Sequence, residues 1–322
     1  MNQIVDKFLA MFVAIALFAV VVALIVGIAW LVGRLRSRSS DRLQGVVYVA
    51  PVVLMLAAGL VYPALLTIRQ AFGGPTGDVG FSLTNFANIF TSPELLRPLI
   101  NTAVWVIAVP VLATVVGLAY AVLVDRSRFE AFAKALIFLP MAISMVGASI
   151  IWKFVYEYRP AGAAQTGLFN AIITTFGGDP VDFMQSRPWN TFWLIVVMVW
   201  IQAGFAMTVL SAAIKAIPDE VVEAAKIDGS TGWRLFRSIT LPSIRGSVVV
   251  VLTTVGIATL KVFDVVRTMT GGQFDTSVLA LEFYNYSFRY FEYGTGAAIA
   301  VLLFILVLPI VIYNVIQMRR DA

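Results

Sequence analysis

The residues of this chain that can take part in chemistry are concentrated in one polar stretch, 215–245. It contains Glu223-Ala224-Ala225 and, two residues later, Asp228-Gly229. Carboxylates are present, but the chain has no histidine and no cysteine. Serine–histidine and cysteine–histidine catalysis, disulfides and the usual zinc and iron–sulfur sites are therefore excluded. A phosphate-binding G-x-x-x-x-G-K-[ST] loop is also missing from the sequence, so we expect neither an enzyme nor a P-loop nucleotide hydrolase.

The pattern of helix-breaking residues predicts two short helices that meet at a corner in this stretch. Pro218 suits the first turn of a helix, and Gly229 suits the positive φ at which a helix ends. Ser230 or Thr231 can cap a second helix, which Pro242 ends. Because long apolar runs flank the stretch on both sides, we expect a compact helix-corner-helix held close to a membrane.

Few polar side chains interrupt the apolar segments, and each is a candidate functional group because burying it in lipid is costly. Gln202 and Phe205 lie on one segment, and Thr259, Lys261 and Asp264 lie on another. Each has a structural alternative: Gln202 can bridge helices, Phe205 can be ordinary packing and Thr259 can bond its own helix backbone. Lys261 and Asp264 are three residues apart, and their mutual pairing is favoured over contact with a ligand.

Membrane-spanning helices must position these groups. Of the 322 residues 60% are hydrophobic and the mean hydropathy is +0.90, which is more apolar surface than a soluble protein can bury. The predicted fold class is an all-α membrane protein with seven spans, each near the roughly 20 residues that cross a bilayer. The predicted spans are 8–32, 45–70, 98–124, 136–156, 190–212, 246–268 and 294–317.

The first span is predicted to be an uncleaved anchor and not a signal peptide. Its apolar run, 8–32, is too long for a signal-peptide core, and the arginines between 34 and 42 form a stop-transfer pattern. Residues 1–44 are therefore expected to form an extra N-terminal transmembrane helix with a basic cytoplasmic linker. Residues 45–322 are expected to form the main transmembrane domain, with 213–245 as a cytoplasmic loop.

The distribution of basic residues predicts the orientation. With the N-terminus outside and the C-terminus inside, four short inner segments hold most of the 23 lysines and arginines, as the positive-inside rule requires. The net charge of +5 then reflects cytoplasmic arginines, and no nucleic-acid partner is expected. The outer segments are 72–97, 157–189 and 269–293, which carry the turn signals Gly73-Gly74-Pro75, Gly177-Gly178-Asp179-Pro180 and Gly271-Gly272.

The spacing in the polar stretch is specific over twenty residues. The matching residues are Glu223-Ala224-Ala225, Asp228-Gly229, Trp233, Phe236, Ile239 and Leu241-Pro242. They resemble the coupling (EAA) loop of ATP-binding cassette importer permeases, in the form seen in carbohydrate importers. Further matches to the core helices of that family are Tyr62-Pro63, Asn85-Phe86, Asn101-Thr102, Phe263-Asp264 and Met269-Thr270-Gly271-Gly272. The pattern is especially similar to α-glucoside-type permeases, which implies a six-helix core behind the one extra helix.

The resemblance implies a transport subunit of a prokaryotic inner membrane. The residues implied to couple it to an ATPase are Glu223, Ala224, Ala225, Asp228 and Gly229, with Trp233 and Phe236 anchoring the loop on the permease's own spans. The residues implied to line the path of a di- or oligosaccharide are Gln202, Phe205, Thr259, Lys261 and Asp264. The implied partners are a second, different permease chain, two ATPase subunits that hold ATP and magnesium, and an extracytoplasmic sugar-binding protein. This chain itself is expected to hold no cofactor or metal.

One departure from the family leaves the sugar open. Lys261-Val262 stands where the family commonly has asparagines, in the region that lines its sugar site. An ion-coupled secondary carrier is the alternative class, with Asp264 as the intramembrane acid on an ion path. Because that class gives the coupling-loop pattern no role, the importer is the preferred hypothesis, with trehalose, maltose and sucrose as expected substrates.

Overall fold

The computed structural model describes residues 40–77, 80–125 and 128–321, together with isolated positions between 13 and 30. The predicted first span and the basic linker after it lie largely outside these residues, and the predicted boundary at residue 44 stays a prediction. All regular structure in the described ranges is helical, which confirms the all-α class. The chain divides into two compact units, 1–67 and 68–322, each described by itself.

A long apolar helix near the start of the described chain contains one wider, π-helical turn. α1 runs over Ser40–Leu56 and α2 over Tyr62–Ala71, and a π-helical turn at Ala57–Val61 joins them. A backbone hydrogen bond at this turn spans five residues instead of four. The wider turn lies next to Pro63, whose ring in a regular α-helix would clash with the carbonyl group four residues earlier.

The remaining helices follow in chain order. They are α3 (Thr84–Thr91), α4 (Pro93–Val124), α5 (Glu130–Phe138), α6 (Met145–Val155), α7 (Leu168–Thr175), α8 (Asn190–Lys215), α9 (Asp219–Ile227), α10 (Gly232–Leu235), α11 (Leu241–Ser243), α12 (Arg245–Leu260), α13 (Asp264–Met269), α14 (Leu279–Phe288) and α15 (Tyr293–Asp321). A 3-10 turn at Leu139–Ala142 follows α5, and a second π-helical turn at Phe236–Thr240 follows α10. That second turn directly precedes the dipeptide Leu241-Pro242, just as the first precedes Tyr62-Pro63. The clash of a proline ring with the preceding helical turn therefore accounts for both wide turns.

Among the described residues, 4 helices are long and apolar enough to cross a membrane, and two bent pairs raise the possible number to 6. The four helices, which agree with four predicted spans, are Gly45–Ala71, Pro93–Val124, Asn190–Lys215 and Tyr293–Asn314. The bent pairs are Glu130–Ala142 with Met145–Val155, at 103°, and Gly232–Ser243 with Arg245–Leu260, at 70°. The count of seven and the orientation remain predictions.

The predicted span 136–156 is not one helix. The helical segment begins earlier, at Glu130, and a 103° bend separates it from α6. Pro140 has no amide hydrogen to continue the helix, and Ser144 caps the next helix by accepting from the Gly147 amide at 3.1 Å. The prediction of a continuous span is wrong because an apolar run reveals neither the helix end at Pro140 nor the new helix start at Ser144.

The predicted span 246–268 is also interrupted. α12 ends at Leu260, and α13 begins only at Asp264. At the junction the amides of Lys261 and Val262 donate to carbonyl groups three residues back, at 3.3 and 3.0 Å. Such bonds tighten the last turn and end the α-helix. The break therefore separates residues that the sequence places on one continuous helical face.

The main core forms around α8. Its most apolar window is 61% buried, against 33% for that of α4. Buried side chains of α4, α8 and α12, among them Trp105, Met198 and Val255, belong to one cluster. α4 and α8 approach so closely that a Cβ atom at Gly117 would lie 2.5 Å from the Cβ of Ala206. Small residues therefore set the separation of these two helices.

Buried asparagines hold the loops that were predicted to lie outside. They are Asn85, Asn101, Asn170 and Asn190. The Asn101 amide donates to the carbonyl groups of Asp275 and Ser277, at 2.6 and 2.8 Å, and Asn190 donates to that of Phe274 at 2.7 Å. Phe274 and Asp275 have φ angles of 56° and 61°, which side chains disfavour. The asparagine bonds stabilise this conformation because they satisfy loop carbonyls that have no helical partner.

Replacing Asn101 by leucine is expected to loosen the 270–278 loop. Leucine has a similar size but leaves the part-buried Asp275 carbonyl and the buried Ser277 carbonyl without the Asn101 donor. A buried carbonyl without a donor costs about 1–3 kcal/mol. We expect faster proteolysis in this loop and a lower unfolding temperature of the purified complex. Asn88→Leu is the control, because Asn88 is half-buried and its side chain has no hydrogen bond in the described residues. Equal cleavage of the two variants would show that the bonds do not hold the loop.

Candidate functional site

The first arm of the polar stretch has the predicted geometry. α9, Asp219–Ile227, begins after Pro218 and carries acidic residues in its first turn. Gly229 ends it with a φ of 81°. The Gly229 amide donates to Lys226 at 3.0 Å and the Ser230 amide donates to Ala225 at 2.9 Å, the two bonds of a Schellman helix end. Gly229 is thus confirmed as the residue that makes the corner.

The second arm departs from the prediction at Pro242. The sequence predicts that the second helix ends at this proline. Instead, α10 passes through the π-helical turn into α11, which contains Pro242 near its start. The chain turns only after Ser243, with a 70° bend into α12. The wide turn ahead of the proline accommodates its ring, so the helical path continues.

The five residues predicted to dock on the ATPase differ in their exposure. Glu223, Ala224, Asp228 and Gly229 are exposed, whereas Ala225 is 8% exposed. Ala225 therefore packs within the chain, beneath the surface that a partner can reach. The other four residues supply that surface with charge and with backbone that can be approached closely.

The predicted anchoring of Trp233 on the permease's own spans is wrong. Its side chain is 73% exposed and stacks on the Phe236 ring, with centroids 5.1 Å apart. Phe236, which is half-buried, lines a cavity shared with the helix ends. Ile227 is 86% exposed on the same loop. Trp233 and Ile227 thus provide exposed apolar surface that the sequence analysis missed, although large apolar residues in a polar loop are a usable signal of a docking face.

A cavity of about 580 Å³ lies between the loop and the ends of α4 and α8. From the loop it is lined by Val222, Leu235 and Phe236, and from the two helices by Val122 and Ile214. Apolar side chains therefore face each other across the gap from both sides. The loop rests on the helix ends through a loosely packed apolar contact, with charged groups at its edge.

The sugar-path candidates on α8 and α12 differ in how accessible they are. Gln202 is 9% exposed, and its amide has no hydrogen-bond partner among the described residues. Phe205 is half-buried and packs on the main core. Thr259 is fully buried, and its hydroxyl group donates to the Val255 carbonyl of its own helix at 2.7 Å. Of these side chains, Gln202 is the one whose polar group is left without a bond inside the described part of the chain.

Lys261 and Asp264 do not form the expected ion pair. No nitrogen–oxygen distance of 4.0 Å or less joins them in the described part of the chain, because the helix breaks between them. Lys261 is exposed and Asp264 is half-buried at the start of α13. One turn further, the Arg267 guanidinium lies 5.4 Å from the centroid of the Tyr284 ring. Sequence spacing does not predict this cation–π pair, because its members are 17 positions apart in the chain.

A cleft of about 600 Å³ at the start of α4 combines charged and aromatic groups. Burial, and to a smaller extent the nearby carboxylates Glu94, Glu282 and Glu292, together raise the pKa of Tyr286 to about 12. The phenol therefore stays protonated and can donate a hydrogen bond at physiological pH. Arg97 also lines the cleft. This arrangement provides both donors and acceptors at the end of the fold away from the coupling loop.

The described residues form an all-helical fold with several apolar helices and an exposed helical corner, as expected of a membrane transport permease. The chain belongs to the family of binding-protein-dependent transport system inner membrane components, whose model matches residues 113–320. It is the permease subunit of an ATP-binding cassette sugar importer, a multi-pass inner-membrane protein that is a transport component and not an enzyme. Membership of this family does not favour the ion-coupled carrier.

Three relatives match most of the chain. The alpha-glucoside transport system permease protein AglF of Rhizobium meliloti (strain 1021) is 43% identical over 286 residues, which cover 88% of this chain and 85% of that protein. The osmoprotective compounds uptake permease protein GgtC of Synechocystis sp. is 47% identical over 274 residues, or 85% and 98%. The trehalose/maltose transport system permease protein MalF of Thermococcus litoralis is 32% identical over 248 residues, or 74% and 80%.

Solved structures agree on the fold. A chain of a bacterial alginate ABC transporter, in complex with an alginate pentasaccharide-bound periplasmic protein, has a TM-score of 0.75 and covers 89% of this chain and 98% of its own. A chain of the MetNI methionine ABC transporter has a TM-score of 0.51 and covers 72% and 99%. Their sequences are 22% and 18% identical to this chain, so the likeness is one of fold.

Proposed function

We propose that this permease imports an α-glucoside of two or more sugar units. The observation that carries the proposal is the 43% identity, over 88% of this chain, to a protein named for alpha-glucoside transport. An amide at Gln202 and a ring at Phe205, three residues apart on α8, suit a sugar, whose edges are polar and whose faces are apolar. The unpaired side chains of Lys261 and Asp264 at the helix break add hydrogen-bonding groups to the same path.

A second candidate is the uptake of an osmoprotective compound. The relative named for that activity is 47% identical and is covered over 98% of its length. The two candidates predict different regulation of uptake. Uptake of an osmoprotectant should increase when external osmolarity rises, because the compound is needed under that condition. Uptake of a non-sugar osmoprotectant such as glycine betaine, in preference to any disaccharide, would favour the second candidate.

The proposed assembly pairs this chain with a second, different permease chain and two ATPase subunits. ATP and magnesium are held by the ATPases. An extracytoplasmic sugar-binding protein meets the outer segments 72–97, 157–189 and 269–293, where the cleft around Tyr286 lies. The proposed topology has seven spans, with the N-terminus outside and the C-terminus inside, and with 1–44 as an extra helix and linker before the core.

Coupling follows from the path of the chain through α8. This helix contains Gln202 and runs without a break to Lys215, and three residues, 216–218, connect it to α9. A displacement of the loop by closure of the ATPases is therefore transmitted to the helix that carries the sugar-path amide. Rigid-body movement of such helices exposes a central cavity alternately to the two sides of the membrane.

The proposal is tested by uptake of radiolabelled trehalose, maltose and sucrose into cells that express the intact transporter. We expect ATP-dependent accumulation of at least one of them, abolished when the ATPase partner carries a substitution that prevents hydrolysis. Each sugar is also offered as a competitor of the others, because competition ranks their affinities. Accumulation driven by an ion gradient in the absence of the ATPase would overturn the proposal.

Gln202→Leu is expected to weaken transport more than Thr259→Val. Loss of one hydrogen bond to the sugar, worth about 0.5–1.5 kcal/mol, corresponds to a roughly two- to tenfold rise in KM. The Thr259 hydroxyl group bonds its own helix, so its removal is expected to leave KM unchanged. Initial uptake rates over a range of sugar concentrations measure both. A larger effect for Thr259→Val would contradict the assignment of these two residues.

A further inference from the structure

Five charged and polar side chains meet where three helices end. Asp125 follows α4, Glu130 and Lys134 lie on α5, and Ser211 and Lys215 lie on the last turns of α8. The coupling-loop motif includes none of them. From the sequence, the two lysines are predicted only to be among the basic residues of the cytoplasmic segments. We call this set the Lys134 cluster.

Lys134 is the centre of this cluster. Its ammonium group donates to Asp125 at 2.6 Å, to Glu130 at 2.8 Å and to the hydroxyl group of Ser211. The Ser211 hydroxyl group also donates to Asp125, at 2.7 Å, and Lys215 pairs with Glu130. Each of the three helix ends is therefore bonded to both of the others. Asp125 and Ser211 are 86 residues apart in the chain, so the links are tertiary.

The cluster is half-buried except at Lys215, whose side chain is 52% exposed. The Asp125 side chain is 9% exposed, and those of Lys134 and Glu130 are each 24% exposed. Exposed ion pairs contribute little, but removal of one partner of a buried pair leaves an uncompensated charge. The bonds are also directional, since three donor hydrogens of one ammonium group reach three acceptors on different segments. Such a group fixes the relative position of the elements that it joins.

The cluster borders the coupling loop. Asp125 and Lys215 line the 580 Å³ cavity together with Asp219, Val222 and Lys226 of the loop. The apolar contact across this cavity is loose, and a loose contact transmits displacement poorly. The cluster provides a second, rigid connection, because Lys215 belongs to the helix that leads directly into the loop.

We propose that the Lys134 cluster is a positioning element of transport, which makes the inner ends of α4, α5 and α8 move as one body when the coupling loop moves. Without it, α8 would follow the ATPases while α4 and α5 lag behind. ATP hydrolysis would then continue with less sugar moved per ATP. The inference rests on the proposed function, since it assumes coupling to an ATPase.

The first test measures whether the ends of α4 and α8 keep their separation, and it needs no knowledge of the sugar. Because the chain has no cysteine, spin labels at Leu123→Cys and Ala216→Cys, both exposed sites, report one distance in the full complex without background from this chain. We expect the same distance without nucleotide and with a non-hydrolysable ATP analogue. In Lys134→Met the distance should differ between the two states. A wild-type distance that changes, or a variant distance that does not, would overturn the proposal.

The second test measures coupling in proteoliposomes that contain the full complex. Lys134→Met is expected to lower the number of sugar molecules moved per ATP by about tenfold, within the range of measured coupling energies. Lys134→Arg, which keeps the charge, should restore most of the ratio. Arg128→Met, an exposed basic residue of the same segment, should leave it unchanged.

The outcomes separate the inference from the function on which it rests. If Lys134→Met lowers uptake and ATP hydrolysis in proportion, or changes neither, the cluster has only a structural role and the inference fails. Ser211→Ala removes the two hydrogen bonds of Ser211, with Lys134 and with Asp125, and keeps the Lys134–Asp125 pair, so it serves if the first variant does not reach the membrane. If wild-type protein carries none of trehalose, maltose and sucrose, the proposed function fails, while the distance measurement still decides the rigidity of the helix ends.

Discussion

Gly229→Pro is expected to abolish ATP-driven sugar uptake while the chain still reaches the membrane. Proline fixes φ near −65° and has no amide hydrogen, whereas Gly229 has a φ of 81° and donates to Lys226 at 3.0 Å. Both features of the helix end are lost together, at a cost of about 3 kcal/mol. The population of loops with the correct corner would fall by about a hundredfold. Uptake, membrane content and co-purification of the ATPase are the three measurements.

Gly229→Asn is the matched variant. Asparagine tolerates positive φ better than other side chains, and nothing lies within 4 Å of a Cβ atom built at this glycine. Uptake close to wild type is therefore expected. This comparison isolates backbone conformation from the mere presence of a side chain. Normal uptake by Gly229→Pro would remove the loop from the coupling mechanism and make the ion-coupled carrier the hypothesis to test.

Gly117→Val is expected to prevent assembly of the helical core. A Cβ atom at Gly117 would lie 2.5 Å from the Cβ of Ala206 and 2.7 Å from the amide nitrogen of Met207. These are backbone and first side-chain atoms, so no rotamer change relieves the overlap, and α4 and α8 must separate. Overpacking by a single methylene already costs about 1–3 kcal/mol. The yield of monodisperse protein after extraction, and its unfolding temperature, measure the effect.

Gly256→Ala is the control for this prediction. The nearest atoms to a Cβ atom at Gly256 are 3.7 and 3.9 Å away, which is ordinary van der Waals contact. Alanine is also favoured over glycine in a helix by about 1 kcal/mol, so this variant is expected to be as stable as wild type or slightly more stable. Similar yields of the two variants would mean that the α4–α8 approach is not a constraint on folding.

The sequence alone determined the class of the protein and the position of the helical corner at Gly229. Apolar composition requires a membrane protein whatever the packing, because no soluble fold can bury that surface. Gly229 and the start of α9 were also predictable, since a helix end depends on hydrogen bonds between residues at most five apart. The lack of histidine and cysteine excluded whole classes of chemistry without any reference to structure.

Tertiary structure alone decided which of the candidate groups are available. Lys261 and Asp264 have the spacing of an ion pair, but the helix breaks between them. Trp233 lies in an aromatic pattern typical of packing, yet it is 73% exposed and stacks on the Phe236 ring of its own loop. Thr259 is buried and bonded within α12, whereas Gln202 on α8 keeps a free amide. Sequence periodicity describes one helix at a time, and these outcomes depend on neighbours.

The same reason explains the Lys134 cluster. Lys134 is four residues from Glu130, a spacing that sequence shows, but its bonds to Asp125 and Ser211 require the ends of three helices to meet. The sequence determined which residues carry charge and which segments are apolar enough to be candidate spans. The packing of α4, α5 and α8 decided which charges are joined, because a hydrogen bond forms only between groups that the fold brings within about 3 Å.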